Sequence, residues 1–234
     1  MQEVLNIIQK RQSARNPFDS ERPVAKEDLR QILEAGRWAP TAHNMQNFEI
    51  IVVDDKKVLD AIGSIKSTVS ETFIRENYEQ LSFSEEELLR KKVGILGTMF
   101  PPAWRTPGYK PDKDTDLGRP VQTSPVMLIV VYDPDRRAPA SEGDFLGIVS
   151  LGCVMENMWL MANSLGISFH VVSAIGRDPA EKEVKRILNI PDRLKIPFAF
   201  RLGYPVSTPA KYPRVRRNIE DFTHHNRFGK RDLD

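Results

Sequence analysis

The chain has 234 residues, enough for one sizeable domain with a buried core. Hydrophobic residues make up 40%, which excludes a disordered chain, and 34 basic against 32 acidic residues leave a formal charge of +2, which argues against a general nucleic-acid or membrane-surface binder. A single cysteine, Cys153, allows no disulfide within one chain and points to a reducing, cytoplasmic setting.

The start, MQEVLNIIQKRQSAR, has no long apolar core followed by small residues, so it does not read as a secretory signal. Residues 3 to 11 read as a helix with Val4, Leu5, Ile7 and Ile8 on an apolar side. NPFDSERPV breaks the pattern with its prolines, and KEDLRQILEAGR, 26 to 37, resumes it as an amphipathic helix ended by Pro40. RWAPTAHNMQ is polar and leads directly into FEIIVVDD, the first strand. Residues 56 to 97 read as mostly helical and highly charged, with SEEELLRKK a solvated face. Residues 100 to 123 hold five prolines with Trp104 and Tyr109, and read either as a lid or binding loop or as a disordered insertion.

SPVMLIVVYD, 124 to 133, is continuously apolar, as a strand covered on both faces would be. FLGIVSLGCVMENMWLMANSLG, 145 to 166, contains Ser150, Glu156, Asn157 and Asn163, so it reads as a buried globular helix rather than a membrane span, closed by Gly166. ISFHVVSAIG is a third strand and turn, PAEKEVKRILN a short helix, and PFAFRLGYPV a fourth strand. The tail is basic and polar. With no repeat or long linker, residues 1–234 read as one α+β domain.

The four histidines, His43, His170, His224 and His225, show no ligand spacing, and there is no cysteine pair, so no metal site is expected. There is no Gly-x-Ser-x-Gly, no Gly-x-Gly-x-x-Gly and no P-loop, and Cys153 reads as a packed helix residue. Three polar clusters remain. In RQSAR, the guanidiniums of Arg11 and Arg15 with the Ser13 hydroxyl could grip a phosphate, or could simply end a solvated helix. In KYPRVRR, an extended chain would put Arg214 and Arg216 on one side, unless this is only a basic tail. The third cluster is the polar stretch before the first strand.

Together and in this order, these clusters resemble the nitroreductase family of FMN-dependent flavoproteins. Arg11-Gln12-Ser13-Ala14-Arg15 is similar to the family's Arg-Arg-Ser-x-Arg, departing from it at Gln12. Pro23-Val24 and Glu27 to Pro40 resemble the helix that follows, and Pro40, Thr41, Asn44 and Gln46 match its Pro-Ser/Thr-x-x-Asn-x-Gln stretch. The 145–166 helix resembles the family's central interface helix, and LGYPV with RRNIED its C-terminal close. Residues 54 to 123 carry little of the likeness.

The resemblance implies a three-layer α+β fold, a central, mostly antiparallel sheet flanked by helices, in an intertwined homodimer with FMN sites built from both subunits. It implies that Arg11, Gln12, Ser13 and Arg15 contact FMN, that Thr41, Ala42 and Asn44 approach from the partner subunit, that Val172, Ser173 and Ala174 face the flavin edge, and that Arg214 and Arg216 contact phosphate. Chemistry would occur at flavin N5, with no protein nucleophile required. The implied reaction is NAD(P)H-driven two-electron reduction of a nitroaromatic, quinone or related electrophile, with NADH or NADPH as donor. The alternatives are a reductive dehalogenase of the same family and a flavin-binding dimer without NAD(P)H turnover. The family's deiodinase grips its substrate with a Glu-x-x-x-Tyr pair. Here Ile74 stands four residues before Tyr78 and Arg105 four before Tyr109, so that signature is missing. Trp104 and Tyr109 are candidate ring-stacking groups or loop packing. His43 either faces the cleft or sits where the motif tolerates variation.

Overall fold

A computed structural model of the chain describes residues 2–68, 72, 75–96, 114–141, 143–208 and 213–231. These fall into two compact units, Met1–Thr68 with Asp114–Pro209, and Val69–Lys113 with Ala210–Asp234.

The first unit is a helix–sheet–helix sandwich. Its helices are α1 (Gln2–Lys10), α2 (Lys26–Arg37), α3 (Lys56–Gly63), α5 (Gly118–Gln122), α6 (Phe145–Ser164) and α7 (Ala180–Leu188). Its main sheet runs β1 (Glu49–Val53), β6 (Val126–Tyr132), β8 (Lys195–Gly203), β7 (Ser168–Val172) across its width, every neighbour antiparallel. A separate antiparallel pair joins β2 (Lys66–Thr68) to β5 (Asp114–Asp116).

β6 explains the layering. All seven of its residues are buried. Met127, Ile129 and Val131 face one core with Leu59, Ile62, Val121 and Val184 from α3, α5 and α7. Val126, Leu128, Val130 and Tyr132 face the other with Ile32, Leu151, Val154 and Met158 from α2 and α6. A strand with apolar residues on both sides needs cover on both, at roughly 1.5–3 kcal/mol for each large aliphatic buried.

Local signals set the boundaries. Asp55 caps α3, accepting from the amides of Lys57 and Val58 at 2.7 and 3.2 Å. Gly166 at φ 72° closes α6, with the Ile167 amide returning to the Ala162 carbonyl at 2.9 Å. The expectation of a buried helix at 145–166 holds for one side only. Leu151, Val154, Met158, Trp159 and Ala162 are buried, while Phe145, Ile148 and Val149 are exposed. By length and composition α6 could cross a membrane, but its packed side is the core of this sandwich.

The second unit holds a π-helical turn (Arg75–Gln80), the parallel pair β3 (Ser82–Phe83) and β4 (Ile95–Leu96), helix α4 (Glu85–Lys91) and a short 3₁₀ turn at Ile219–Asp221. Ser84 and Glu87 form a capping box at α4. Among the described residues of 56 to 97, short helices alternate with short strands and the helical residues are the majority, as the pattern suggested. Of the segment 100–123, residues 100–113 lie outside the described residues, and those from 114 onward include β5 and α5.

Candidate functional site

Residues 11 to 16 leave α1 and lie as an extra edge beside β7. Ser13 bridges Phe169 in parallel, and the Ala14 amide donates to the Phe169 carbonyl at 3.0 Å. Ala14 is buried at 2% exposure, whereas Arg15 is exposed. In an extended segment, alternate residues share a face, so Arg11, Ser13 and Arg15 fall opposite Ala14. Arg11 is engaged within the chain. Its Nε lies 3.0 Å from Glu156 Oε1, and its guanidinium covers the Trp159 ring at 4.4 Å. Trp159 Nε1 in turn donates to the Gln12 carbonyl at 3.3 Å. Gln12 thus contributes its backbone to the packing and leaves its side chain exposed.

Beneath this segment sits Arg201 of β8, at 0% exposure. Its Nη2 donates to the carbonyls of Ala14 and Asn16 at 2.9 and 2.8 Å, its Nη1 to Pro120 at 3.3 Å, and its Nε to His170 Nδ1 at 2.9 Å. The guanidinium also stacks on Phe18 at 4.1 Å. To accept at Nδ1, His170 must be neutral, with its proton on Nε2. Its surroundings agree: burial, followed by the charges of Arg201 and Arg15, holds the imidazole down to about 3. Burial pulls Arg201 down to about 10, which leaves it charged at neutral pH. Among the described residues Arg201 forms no ion pair, while Arg11 pairs with Glu156. This donor set suits a phosphate-bearing group such as FMN. Sequence reasoning missed Arg201, His170, Glu156 and Trp159. An arginine inside FAFRLGYPV, a run otherwise apolar, was the available signal.

The stretch before β1 is strained. His43, Asn44 and Gln46 have φ of 51°, 52° and 45°. Histidine and asparagine tolerate this left-handed region better than most residues, but three such residues within four positions persist only where the surroundings over-determine them. Those surroundings are visible. Ser150 Oγ on α6 accepts from the Ala42 amide at 3.0 Å, Thr41 Oγ1 accepts from the Gln46 amide at 3.2 Å, and Gln46 Nε2 donates to Asn44 Oδ1 at 3.1 Å. Gln46 therefore braces the loop, while His43 and Asn44 point outward and are exposed. A cavity of about 20 Å³ lies beneath, lined by Thr41, Ala42, Met45, Tyr132 and Asp144 among others. That is room for about one water and far too little for a flavin. Tyr132 donates to Asp144 there at 2.8 Å, and burial, then that bond, pushes its phenol up to about 12.

Val172 ends β7 opposite Ala199, and Ser173 and Ala174 open the 3₁₀ turn Ser173–Gly176. This turn and residues 11–15 share the β7 side of the sheet. The Thr41–Asn44 stretch precedes β1, the opposite edge. β7 lies three strand spacings from β1 and the 11–16 edge four, roughly 14 and 19 Å. One chain thus brings Arg11, Gln12, Ser13 and Arg15 toward Val172–Ala174, and keeps Thr41, Ala42 and Asn44 away from them. Arg214 and Arg216 lie in the second unit, both exposed, with the less exposed Val215 between them. Trp104 and Tyr109 lie outside the described residues.

An apolar surface accompanies these features. Val4, Leu5 and Ile8 of α1 and Phe145, Ile148 and Val149 of α6 are exposed. Trp38 is 72% exposed and held in place by Glu34, which accepts from its Nε1 at 2.8 Å. Bonds from Arg37 and then Trp38 bring the Glu34 carboxyl down to about 2. A groove of about 430 Å³ runs between α1, α2 and α6, lined by Val4, Ile7, Trp38, Leu160 and Met161.

The sequence profile of the nitroreductase family matches residues 8–204. An iodotyrosine deiodinase from Thermotoga neapolitana is 25% identical over 217 residues, spanning 92% of this chain and 95% of that protein. An NADPH-dependent oxidoreductase from Staphylococcus aureus is 20% identical over 225 residues, 96% of this chain and 74% of that protein. Among solved structures, a nitroreductase with bound FMN from Bacteroides fragilis superposes with a TM-score of 0.59 at 23% identity, covering 93% of this chain and 96% of that one. A profile that spans most of the chain, together with a sandwich of the same fold, makes this protein a member of the nitroreductase family.

Proposed function

We propose that the protein is an FMN-dependent oxidoreductase that draws electrons from NADH or NADPH and passes two of them to a small electrophile, such as a nitroaromatic or a quinone. The observation that carries the reading is the segment 11–16, an extended edge that presents Arg11, Ser13 and Arg15 on one face above a buried Arg201. An FMN phosphate carries nearly two negative charges, and the guanidiniums of Arg11 and Arg15 with the Ser13 hydroxyl suit it.

Arg15 and the Ser13 hydroxyl would hold the phosphate side of the cofactor, with Arg11 oriented by Glu156 and Trp159. The Val172–Ala174 turn would bring backbone donors to the ring edge. FMN, when bound, supplies hydride exchange at N5. Thr41, Ala42 and Asn44 sit at the far edge of the sheet, so in this reading they serve the site of a second copy. The exposed apolar faces of α1 and α6, with Trp38 and the groove beside it, support such a homodimer. By the family resemblance, Arg214 and Arg216 are further candidate phosphate contacts, and His43, Trp104 and Tyr109 candidate substrate contacts.

The test is colour. Purified protein is expected to carry FMN, with visible flavin absorbance that NADH or NADPH bleaches and a quinone restores. A colourless protein that FMN cannot stabilise against heat would sink the flavoprotein reading. Flavin reduced by dithionite but by neither nicotinamide would favour the binding dimer without turnover.

A second reading is reductive dehalogenation. The Thermotoga neapolitana deiodinase matches this chain over nearly its whole length, which favours it. The missing Glu-x-x-x-Tyr pair disfavours an iodotyrosine substrate. Turnover of halogenated phenols in preference to quinones and nitroaromatics would select this reading.

A further inference from the structure

We infer that Arg201 is a positioning residue for the cofactor grip, holding residues 11–16 in the extended form that presents Arg11, Ser13 and Arg15, with His170 as the acceptor that aims it. The inference rests on the FMN reading for its ligand, but the geometry behind it is independent of any ligand. Three carbonyls on one side of the segment are taken, at Gln12 by Trp159 and at Ala14 and Asn16 by Arg201. Both bonds from Arg201 come from the same nitrogen, Nη2. A planar guanidinium with fixed donor directions can span two carbonyls, a histidine and the Pro120 carbonyl at once; an ammonium cannot. The direct backbone tie to β7 is light by comparison, with the Ala14 amide on Phe169 as its bond.

A buried cation needs a reason. Arg201 is fully buried, held by neutral acceptors, and forms no ion pair among the described residues. Removing a charge from water without a counter-charge is costly, and an apolar residue would suit a strand core better. The arrangement becomes advantageous if an anion lies across the segment. Arg201 then both fixes the carbonyls and adds its field to Arg15, whose charge also reaches His170.

The test compares wild type, Arg201→Lys, His170→Leu and His170→Gln, without and with FMN. In the ligand-free protein, amide exchange at Ala14, whose amide bonds the Phe169 carbonyl, is expected to accelerate in Arg201→Lys and His170→Leu, while amides of β6 and β8 keep their protection. Gln offers an amide oxygen in place of Nδ1, so His170→Gln is expected to restore much of the protection. With FMN added, Arg201→Lys is expected to raise the dissociation constant about tenfold and to change the visible circular dichroism of the bound flavin. If Arg201→Lys does not fold, His170→Leu carries the same expectations at smaller amplitude. Unaltered exchange at Ala14, or loosening that runs equally through β6 and β8, overturns the inference. So does a wild type that binds FMN while Arg201→Lys binds it equally well with the same dichroism. A wild type that binds no FMN at all instead sinks the cofactor reading, and the exchange data still decide whether Arg201 holds the segment.

Discussion

At the scale of single residues, His170 has the clearest solution consequence. Burial first, then the charges of Arg201 and Arg15, keeps its ring neutral in the folded chain down to about pH 3. In the unfolded chain the same ring takes up a proton below about 6.5. Between those limits the unfolded state binds more protons, so stability rises with pH. The contribution is complete above about pH 6.5 and is lost as pH falls toward 3, with on the order of 2 kcal/mol gone at about pH 5. Denaturation midpoints taken between about pH 7.5 and about 4.5 are expected to decline on the acid side, and His170→Gln to flatten that decline. An undiminished slope in that variant would assign acid sensitivity to other groups. None of this was legible in the sequence, where His170 is one more residue of ISFHVV. A titration shift depends on which side chains surround a group, and Arg201 and Arg15 are distant from it in the chain. Arg11, Ser13 and Arg15, by contrast, were legible as one polar cluster, because they are neighbours in sequence.

At the scale of elements, long periodic stretches were readable and short ones were not. α2 spans Lys26–Arg37 as its apolar spacing indicated, and the unbroken apolar run of β6 reported its two covered faces. β5 pairs with β2 over only three residues, Asp114–Asp116 against Lys66–Thr68, too few for any alternation to show. The strain at His43, Asn44 and Gln46 was hidden too, since it comes from bonds to Ser150 and within the loop rather than from composition. Glycine contacts give this scale a sharp prediction. A Cβ at Gly176 would stand 2.1 Å from the Ile196 carbonyl oxygen, a backbone atom fixed in β8. At Gly36 the nearest atoms, at 2.9 Å, belong to the flexible Met158 side chain. Gly176→Ala is therefore expected to cost about 3 kcal/mol or more and to distort the Val172–Ala174 turn, whereas Gly36→Ala is expected to cost about 1 kcal/mol as Met158 shifts. Equal unfolding midpoints for the two variants would show that the turn can move away from β8.

At the scale of the whole molecule, the strand order β1-β6-β8-β7 makes the argument. It sets the RQSAR segment and the PTAHN stretch at opposite edges, and in the homodimer proposed above a site that uses both takes one from each of two copies. A subunit-mixing experiment follows from that arrangement. Arg15→Ala damages the β7-side half of the site, and Thr41→Ala combined with Asn44→Ala damages the β1-side half. Each homodimer of a damaged chain is expected to lose most of its FMN. Unfolding the two together and refolding them pairs the chains at random, so about half of the dimers are mixed. In a mixed dimer both lesions fall in one site, and the other site is whole. FMN binding is then expected to return to roughly a quarter of all sites, and to appear only after mixing. If each chain carried its own complete site, no pairing could repair it, and the refolded mixture would bind no more FMN than the two variants kept apart. Val149→Glu, which sets a charge on the exposed apolar side of α6, should abolish this recovery by preventing the pairing itself while leaving each chain folded.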